Sequence, residues 1–329
     1  MMNNSSKTKR RSLPISRVRT RGGFKYFDHG QKLTDPALID RINSLAIPPA
    51  WEKVEIARGG SSQVQARGVD EAGRAQIIYH QAFRAKQDAA KFDKLVAFGH
   101  ALEPLRQRVA ADLSRSTICR EKVVACAVRL MDQHLLRVGN EQYARKYQSY
   151  GATTLRRKHV TVNAHSLDLS FPGKSGITHQ LHITDPQLLG FIAELRQMQG
   201  YEIFRFPDPQ GKLQSVRANH VNDYLGEYLG ETLTARDFRT WGGTRAAFEI
   251  LLQQGADERL SDAVQGAAQK LGNTTAIARS SYIAPQVIDL AQDEERLSAL
   301  RRSVSHTKTR EFFDSYDICL LNFLEHPNP

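Results

Sequence analysis

Leu271-Gly272-Asn273-Thr274-Thr275-Ala276-Ile277-Ala278-Arg279-Ser280-Ser281-Tyr282-Ile283 is the stretch from which the rest of the chain is best read. An Asn/Thr turn opens a short Ala/Ile/Ser segment of helical character, and one tyrosine, Tyr282, closes it. Alone this is an ordinary helix start, and a tyrosine at a helical position belongs to a core more often than to a reaction. Three isolated cations upstream change its meaning: Arg137 in Leu136-Arg137-Val138-Gly139-Asn140, Lys174 in Phe171-Pro172-Gly173-Lys174-Ser175-Gly176, and Arg239 in Asp237-Phe238-Arg239-Thr240-Trp241. Each has a plain structural reading, as a buried salt-bridge partner or a solvated turn lysine. Together, two arginines, a lysine in a turn, the amide of Asn273 and a tyrosine are the groups that metal-free phosphoryl transfer to a tyrosine requires.

Composition narrows the partner. The chain has 329 residues, 40% of them hydrophobic, enough for one large domain or two smaller ones. A formal charge of +11 and a pI of about 9.6 point to a polyanion, and the cations are spread along the whole chain, which favours nucleic acid. The three cysteines, Cys119, Cys126 and Cys319, form no CxxC pair, so neither a disulfide scaffold nor a zinc site is indicated, and a reducing, cytoplasmic compartment fits. His179 and His182 are three apart on a strand pattern and point to opposite faces, so no metal site is expected there, and no cofactor is expected elsewhere. No apolar run approaches the roughly 18 residues of a membrane span. Residues 1–21 contain Lys7, Lys9, Arg10, Arg11, Arg17, Arg19 and Arg21 with no acid and no apolar region behind them. They are expected to be a disordered basic arm and not a secretory signal.

The periodicity changes along the chain. Val54–Ala57, Ser62–Ala66 and Ala75–Tyr79 alternate as strands do, with turns at Gly59-Gly60 and Glu71-Ala72-Gly73. From Ala89, apolar residues fall at helical spacing at Phe92, Leu95, Val96, Phe98, Leu102, Leu105 and Val109. A second helix is expected from about Glu121 to Gly139 and a third from there to Gly151. Alternation returns over Thr154–Phe171 and Ile177–Ile183, with Lys174 at the tip of the hairpin between them. Helical patterns then run from Asp185 to Gln199, Val216 to Leu229, Thr234 to Gly255, 257 to 271 and 285 to 302, the third opened by a Thr234/Asp237 capping box. The expected fold is α+β: the basic arm, a small β-rich N-terminal domain over 22–85, a linker near 81–90, and a larger, mainly helical domain over 90–329 that holds a small antiparallel sheet.

These motifs, in order and in local wording, resemble the type IB DNA topoisomerases in their compact bacterial and poxvirus-like form. Arg137-Val138-Gly139-Asn140-Glu141-Gln142-Tyr143, continuing to Ser149–Leu155, resembles that family's first arginine motif. Phe171–Gly176 resembles its lysine hairpin, Asp237–Thr244 its second arginine motif, and Leu271–Ile283 its nucleophile segment. Gly73–His80 and Lys91–Leu95 also fit, and the resemblance covers about Arg21 to about Leu300.

The resemblance implies a catalytic core shared with tyrosine recombinases and a monomer acting on double-stranded DNA without ATP or metal. Tyr282 attacks a phosphodiester and becomes joined to the 3′-phosphate, a 5′-hydroxyl leaves, the cut strand swivels, and the hydroxyl reseals it. Arg137 and Arg239 grip the non-bridging oxygens, Lys174 acts as general acid, and Asn273 donates a hydrogen bond. Arg74, Gln76 and Tyr79 from one segment, and Gln142, Tyr143 and Lys146 from another, face the DNA. The two domains clamp the duplex. The chain departs from the family at two places. Asn273 stands where nuclear and poxvirus enzymes carry histidine, and it cannot donate a proton as His⁺ does. Thr275 stands where bacterial relatives carry proline. A tyrosine recombinase shares the nucleophile logic, but the histidines that flank its second arginine and precede its nucleophile are absent from Asp237–Trp241 and Leu271–Asn273. An inert DNA-binding protein on the same fold would not need all five catalytic positions filled.

Overall fold

The computed structural model describes residues 12–230, 232–253 and 259–326. The chain divides into two compact units, Met1–Ala90 and Lys91–Pro329.

The first unit is built on an antiparallel sheet. Its strands are β1 (Ile15–Thr20), β2 (Gly23–Asp28) and β3 (Gln31–Lys32), then, after helix α1 (Pro36–Ser44), β4 (Glu52–Ile56), β5 (Val64–Val69) and β6 (Ala75–Tyr79). The strand order is β3-β2-β1-β4-β5-β6. Asp35 caps α1 by accepting from the Ala37 and Leu38 amides at 3.0 and 3.3 Å, with Pro36 set at the first helical position. A small core of Ile15, Ile42, Val54, Ile56 and Ala66 lies between helix and sheet.

The expected basic arm is corrected here. Residues 1–11 lie outside the described residues, but 15–20 are β1, near the middle of the sheet. Ile15 is fully buried, and Arg17 donates to the carbonyls of Ile47, Pro48 and Trp51 at 3.1, 2.9 and 2.8 Å. Its guanidinium also lies 4.2 Å from the centre of the Phe24 ring. A residue that reads as a phosphate-seeking cation is therefore a staple between strand and loop. The linker expected at 81–90 is helical as well, within α2 (Gln81–Phe92). Gln81–Ala90 lacks glycine and proline and is rich in good helix formers, so nothing in it breaks a helix.

The second unit is mainly helical. Helices α3 (Lys94–Leu113), α4 (Arg120–His134) and α5 (Glu141–Lys146) precede the three-stranded antiparallel sheet β7 (Val160–Val162), β8 (Leu167–Pro172), β9 (Thr178–Ile183). Next come α6 (Pro186–Gln197), the short hairpin β10 (Arg205–Pro207) and β11 (Leu213–Ser215), and α7 (Ala218–Leu229). The C-terminal half runs through α8 (Asp237–Gln253), α9 (Arg259–Leu271), α10 (Thr275–Tyr282), α11 (Pro285–Leu290), α12 (Glu294–His306) and α13 (Ser315–Glu325). The single helical pattern at 285–302 is thus two helices, because Asp293 caps a new one by accepting from the Arg296 amide.

Helix α8 is the axis of this unit. Phe238, Trp241, Ala247, Phe248 and Leu251 bury its apolar side, and Arg239, Thr240 and Thr244 are buried on it too. A helix buried nearly all round needs close neighbours, and Gly99 on α3 supplies one: a Cβ there would stand 2.7 Å from the Trp241 ring. The C-terminal tail is part of the core. Asp317 on α13 accepts from Trp241 Nε1 at 3.0 Å and Arg106 Nη1 at 2.7 Å, and pairs with the Arg245 guanidinium at 3.1 Å. Among the described residues, no helix is long and apolar enough to cross a membrane.

Candidate active site

The quoted stretch folds as its residues dictate. Helix α9 ends in a paired C-cap, with the Gly272 amide donating to Gln269 O at 3.1 Å and the Asn273 amide to Ala268 O at 3.0 Å. Gly272 sits at φ +57°, the left-handed backbone that this cap requires. Thr274 then opens α10, its hydroxyl accepting from the Ile277 amide at 3.3 Å. Thr275 is the first residue of that helix. Proline and threonine are interchangeable at that position, because its amide has no intrahelical acceptor. Tyr282 is the last residue of α10 and is half-buried.

Arg137 is placed by the end of α4. Leu135 adopts a left-handed conformation at φ 52°, which stops the helix and turns the chain into an extended segment. That segment pairs with 152–153: Ala152 N donates to Arg137 O at 2.8 Å, and Thr153 N to Val138 O at 2.7 Å. A Cβ on Gly151 would meet Arg137 O at 2.4 Å, so the two halves of the first arginine motif approach each other only through glycine.

Four of the five expected catalytic residues come together. Arg137 Nη2 donates to Asn273 Oδ1 at 2.7 Å. This fixes the amide's orientation and leaves Asn273 Nδ2 buried with no partner among the described residues. Arg239, 3% exposed, donates to the carbonyls of Leu135 and Leu271, the latter at 2.9 Å, so it ties the ends of α4 and α9 to α8. Its Nε is also buried without a partner, and its guanidinium carbon lies 4.9 Å from the centre of the Tyr282 ring. Neither arginine meets a carboxylate among the described residues. Lys174 stands apart on an exposed turn between β8 and β9.

The electrostatics follow from that arrangement. Burial, and then the neighbouring charge of Arg137, pushes the Arg239 pKa down to about 10, so the group is still cationic at neutral pH. Burial likewise lowers Arg137, partly offset by Tyr282. Burial would raise the Tyr282 phenol, but the charge and hydrogen-bonding of Arg239, with the charges of Arg137 and Arg236, outweigh it and hold the pKa below its ordinary value.

Sequence reasoning missed Thr244, which is fully buried on α8. Its hydroxyl donates to Tyr282 O at 3.1 Å and accepts from the Ala284 amide at 3.1 Å, pinning the tyrosine's backbone to the helix that carries Arg239. The adjoining Gly243 admits that approach, since a Cβ there would lie 2.8 Å from Tyr282 O. The available signal was Thr244's place five residues after Arg239 on one helix.

The six expected DNA contacts divide by environment. In the first unit, Arg74 is paired with Asp70 at 2.6 Å, and the Gln76 amide donates to the same carboxylate at 2.9 Å. Gln76 and Tyr79 are on opposite faces of β6, and it is Ile77 that shares the open face with Tyr79. In the second unit, Gln142, Tyr143 and Lys146 are all exposed on α5, with Tyr143 45% accessible and its ring 5.6 Å from that of Tyr147. His182 pairs with Asp168 at 2.7 Å on the outer face of the small sheet, and His179 stacks on Phe171 on the other face.

Comparison with known proteins places the chain in a family. Residues 80–309 match the family described as eukaryotic DNA topoisomerase I, catalytic core, and residues 23–70 match the bacterial DNA topoisomerase IB N-terminal domain. The chain belongs to the type IB DNA topoisomerases. It is 29% identical over 284 residues to DNA topoisomerase 1B of Acanthamoeba polyphaga mimivirus, covering 82% of this chain and 84% of that one. DNA topoisomerase 1 of Mycosarcoma maydis is 27% identical over 256 residues, which are 72% of this chain but only 25% of that much longer protein. DNA topoisomerase 1B of vaccinia virus, strain Copenhagen, is 18% identical over 245 residues, 72% of this chain and 75% of that one. The protein is accordingly an enzyme whose substrate is DNA.

Proposed function

We propose that the protein relaxes positive and negative supercoils by cutting one DNA strand through a 3′-phosphotyrosyl intermediate on Tyr282 and resealing it. The observation that carries this reading is the pair of guanidiniums beside the Tyr282 phenol, that of Arg239 buried and that of Arg137 partly so, with no carboxylate against either among the described residues. Such donors suit the oxygens of a phosphodiester passing through a pentacoordinate transition state, where charge accumulates on the non-bridging oxygens. The Asn273 amide adds one further donor. Because planar, permanently charged groups do this work, the chemistry needs no metal.

The steps balance without an external energy source. The Tyr282 oxygen bonds to phosphorus and loses its proton to water, and the bond to the 5′-oxygen breaks. That oxygen takes a proton from Lys174 and leaves as a hydroxyl. Resealing is the reverse. One phosphodiester replaces another, so ATP is not required. The β-rich and helical units act as the two halves of a clamp on the duplex, with Arg74, Gln76 and Tyr79 on one half and Gln142, Tyr143 and Lys146 on the other. Binding dominated by phosphate contacts weakens steeply as salt rises. The enzyme works as a monomer on the nucleoid of a bacterial cytoplasm.

The test is relaxation of negatively supercoiled plasmid in EDTA without ATP. Wild type relaxes the plasmid and Tyr282→Phe does not. Equal activity in both would assign the chemistry to another nucleophile, and inactivity of both with DNA still bound would remove the relaxation reading.

A further inference from the structure

Lys174 presents a problem of position. The turn that carries it is exposed from Lys174 through Thr178, with Ser175 and Gly176 in left-handed backbone at φ 64° and 76°. It is closed by one backbone bond, Gly173 N to Ile177 O at 2.7 Å. A general acid on such a turn would wander over distances that matter greatly, since misplacement by about 1 Å costs on the order of 10²-fold in rate. Something must seat the base of the turn.

His179 on β9 does this. Its ring stacks on Phe171, its cross-strand partner, with centroids 5.1 Å apart and planes 20° from parallel. The same ring is against Gly173 at the base of the lysine turn and against Gly272 beside Asn273. A Cβ on Gly173 would stand 2.5 Å from the ring's Cδ2 and Nε2, and one on Gly272 2.5 Å from its Cε1. We propose that His179 is a positioning residue: a flat wedge that joins the Lys174 turn to the Asn273 turn and so holds the general acid over the Tyr282 site. The ring is kept neutral by its setting, because burial first, and then the charges of Arg137 and Arg239, lowers its pKa. A neutral ring can sit beside two guanidiniums without repulsion. Both glycines are needed for the fit, which gives Gly173 and Gly272 a role besides turn geometry.

This inference rests on the reading of Lys174 as the general acid, and the test separates the two. Single-turnover cleavage is measured on a DNA duplex with an ordinary 5′-oxygen at the scissile position, and on one with sulfur in its place. The thiolate leaves without a proton, so only steps that depend on the acid become insensitive. Lys174→Ala should be slow on oxygen and restored on sulfur; failure of that restoration would overturn the general-acid reading, and with it this proposal. With Lys174→Ala behaving as expected, His179→Ala should lose about 10²-fold on oxygen, recover on sulfur, and add no further loss to Lys174→Ala in the double variant. His179→Phe, which retains a flat ring and the stack on Phe171, should stay within several-fold of wild type on both substrates. His179→Ala cleaving oxygen substrate at the wild-type rate, or slowed equally on both substrates, would overturn the proposal. So would His179→Phe as slow on oxygen as Lys174→Ala.

Discussion

Arg239 and Arg245 lie six residues apart on the same helix and have opposite fates. Arg245 is held by Glu249 at 3.0 Å, by Asp317 at 3.1 Å and by Asp314. Burial would lower its pKa, but Asp317 and Asp314 raise it above its ordinary value. Arg106, from α3, joins the same cluster through Asp132 at 2.7 Å and Asp317 at 2.7 Å, and its pKa is also raised. Arg239 meets only carbonyls and Tyr282, and its pKa falls. One cluster is neutralised inside the fold, and the other meets no carboxylate among the described residues. The surroundings of the two cations on this one helix thus separate an arginine held by acids from one that, in the proposed function, serves chemistry.

The sharpest way to break that comparison is a pair of substitutions. Arg137→Ala should slow strand cleavage by about 10²–10³-fold, the usual loss for a transition-state donor. Its melting temperature should hold or rise, because the change removes a charge that the resting fold leaves uncompensated. Asp317→Ala should do the reverse. It should destabilise the protein by about 3–5 kcal/mol, because it strands Arg106 and Arg245. Cleavage per folded molecule should stay within several-fold of wild type. Chemical denaturation and single-turnover cleavage on both variants check this, and a matched loss of rate and stability in each would erase the distinction.

Thr244→Val probes the link between the two regions. It deletes both hydrogen bonds that pin the Tyr282 backbone and should cost about 1–3 kcal/mol of stability. Cleavage should fall more than DNA affinity does, read as a lower kcat at nearly unchanged KM. A smaller effect concerns pH. The folded pKa of Tyr282 lies below its ordinary value, so its ionisation favours the fold fully only above the unfolded pKa of about 10. That contribution is lost as pH falls through the folded value. The cleavage rate should rise with pH and level off before pH 10, and Arg239→Ala should move that plateau upward.

The sequence made one side of this comparison readable and hid the other. Arg137, Arg239, Asn273 and Tyr282 could be picked out because they occur together in motifs that resemble those of a known family, and part of that wording, such as the Schellman cap at Gly272-Asn273, is local chemistry. Asp317 could not, because Trp241 and Arg106, which it holds, are 76 and 211 residues away, and no local pattern encodes such pairings. The same limit explains β1. Arg17 reads as solvated until the carbonyls of Ile47, Pro48 and Trp51, about thirty residues on, are seen to receive it. Lys174 was legible as a turn lysine, while the ring beneath its turn was legible only as a strand histidine.

If the acid-free arginine pair serves phosphoryl transfer, the DNA must become joined to Tyr282. The most direct measurement is to quench the protein with denaturant on a nicked duplex labelled in the cut strand 5′ of the scissile phosphate, and in a second sample 3′ of it, digest each, and identify any labelled peptide. The expected result is a single adduct, carrying only the label 5′ of the cut and joined through a 3′-phosphate to Tyr282 in the Leu271–Ile283 segment. Label on any other residue, or a bond to a 5′-phosphate, would contradict it.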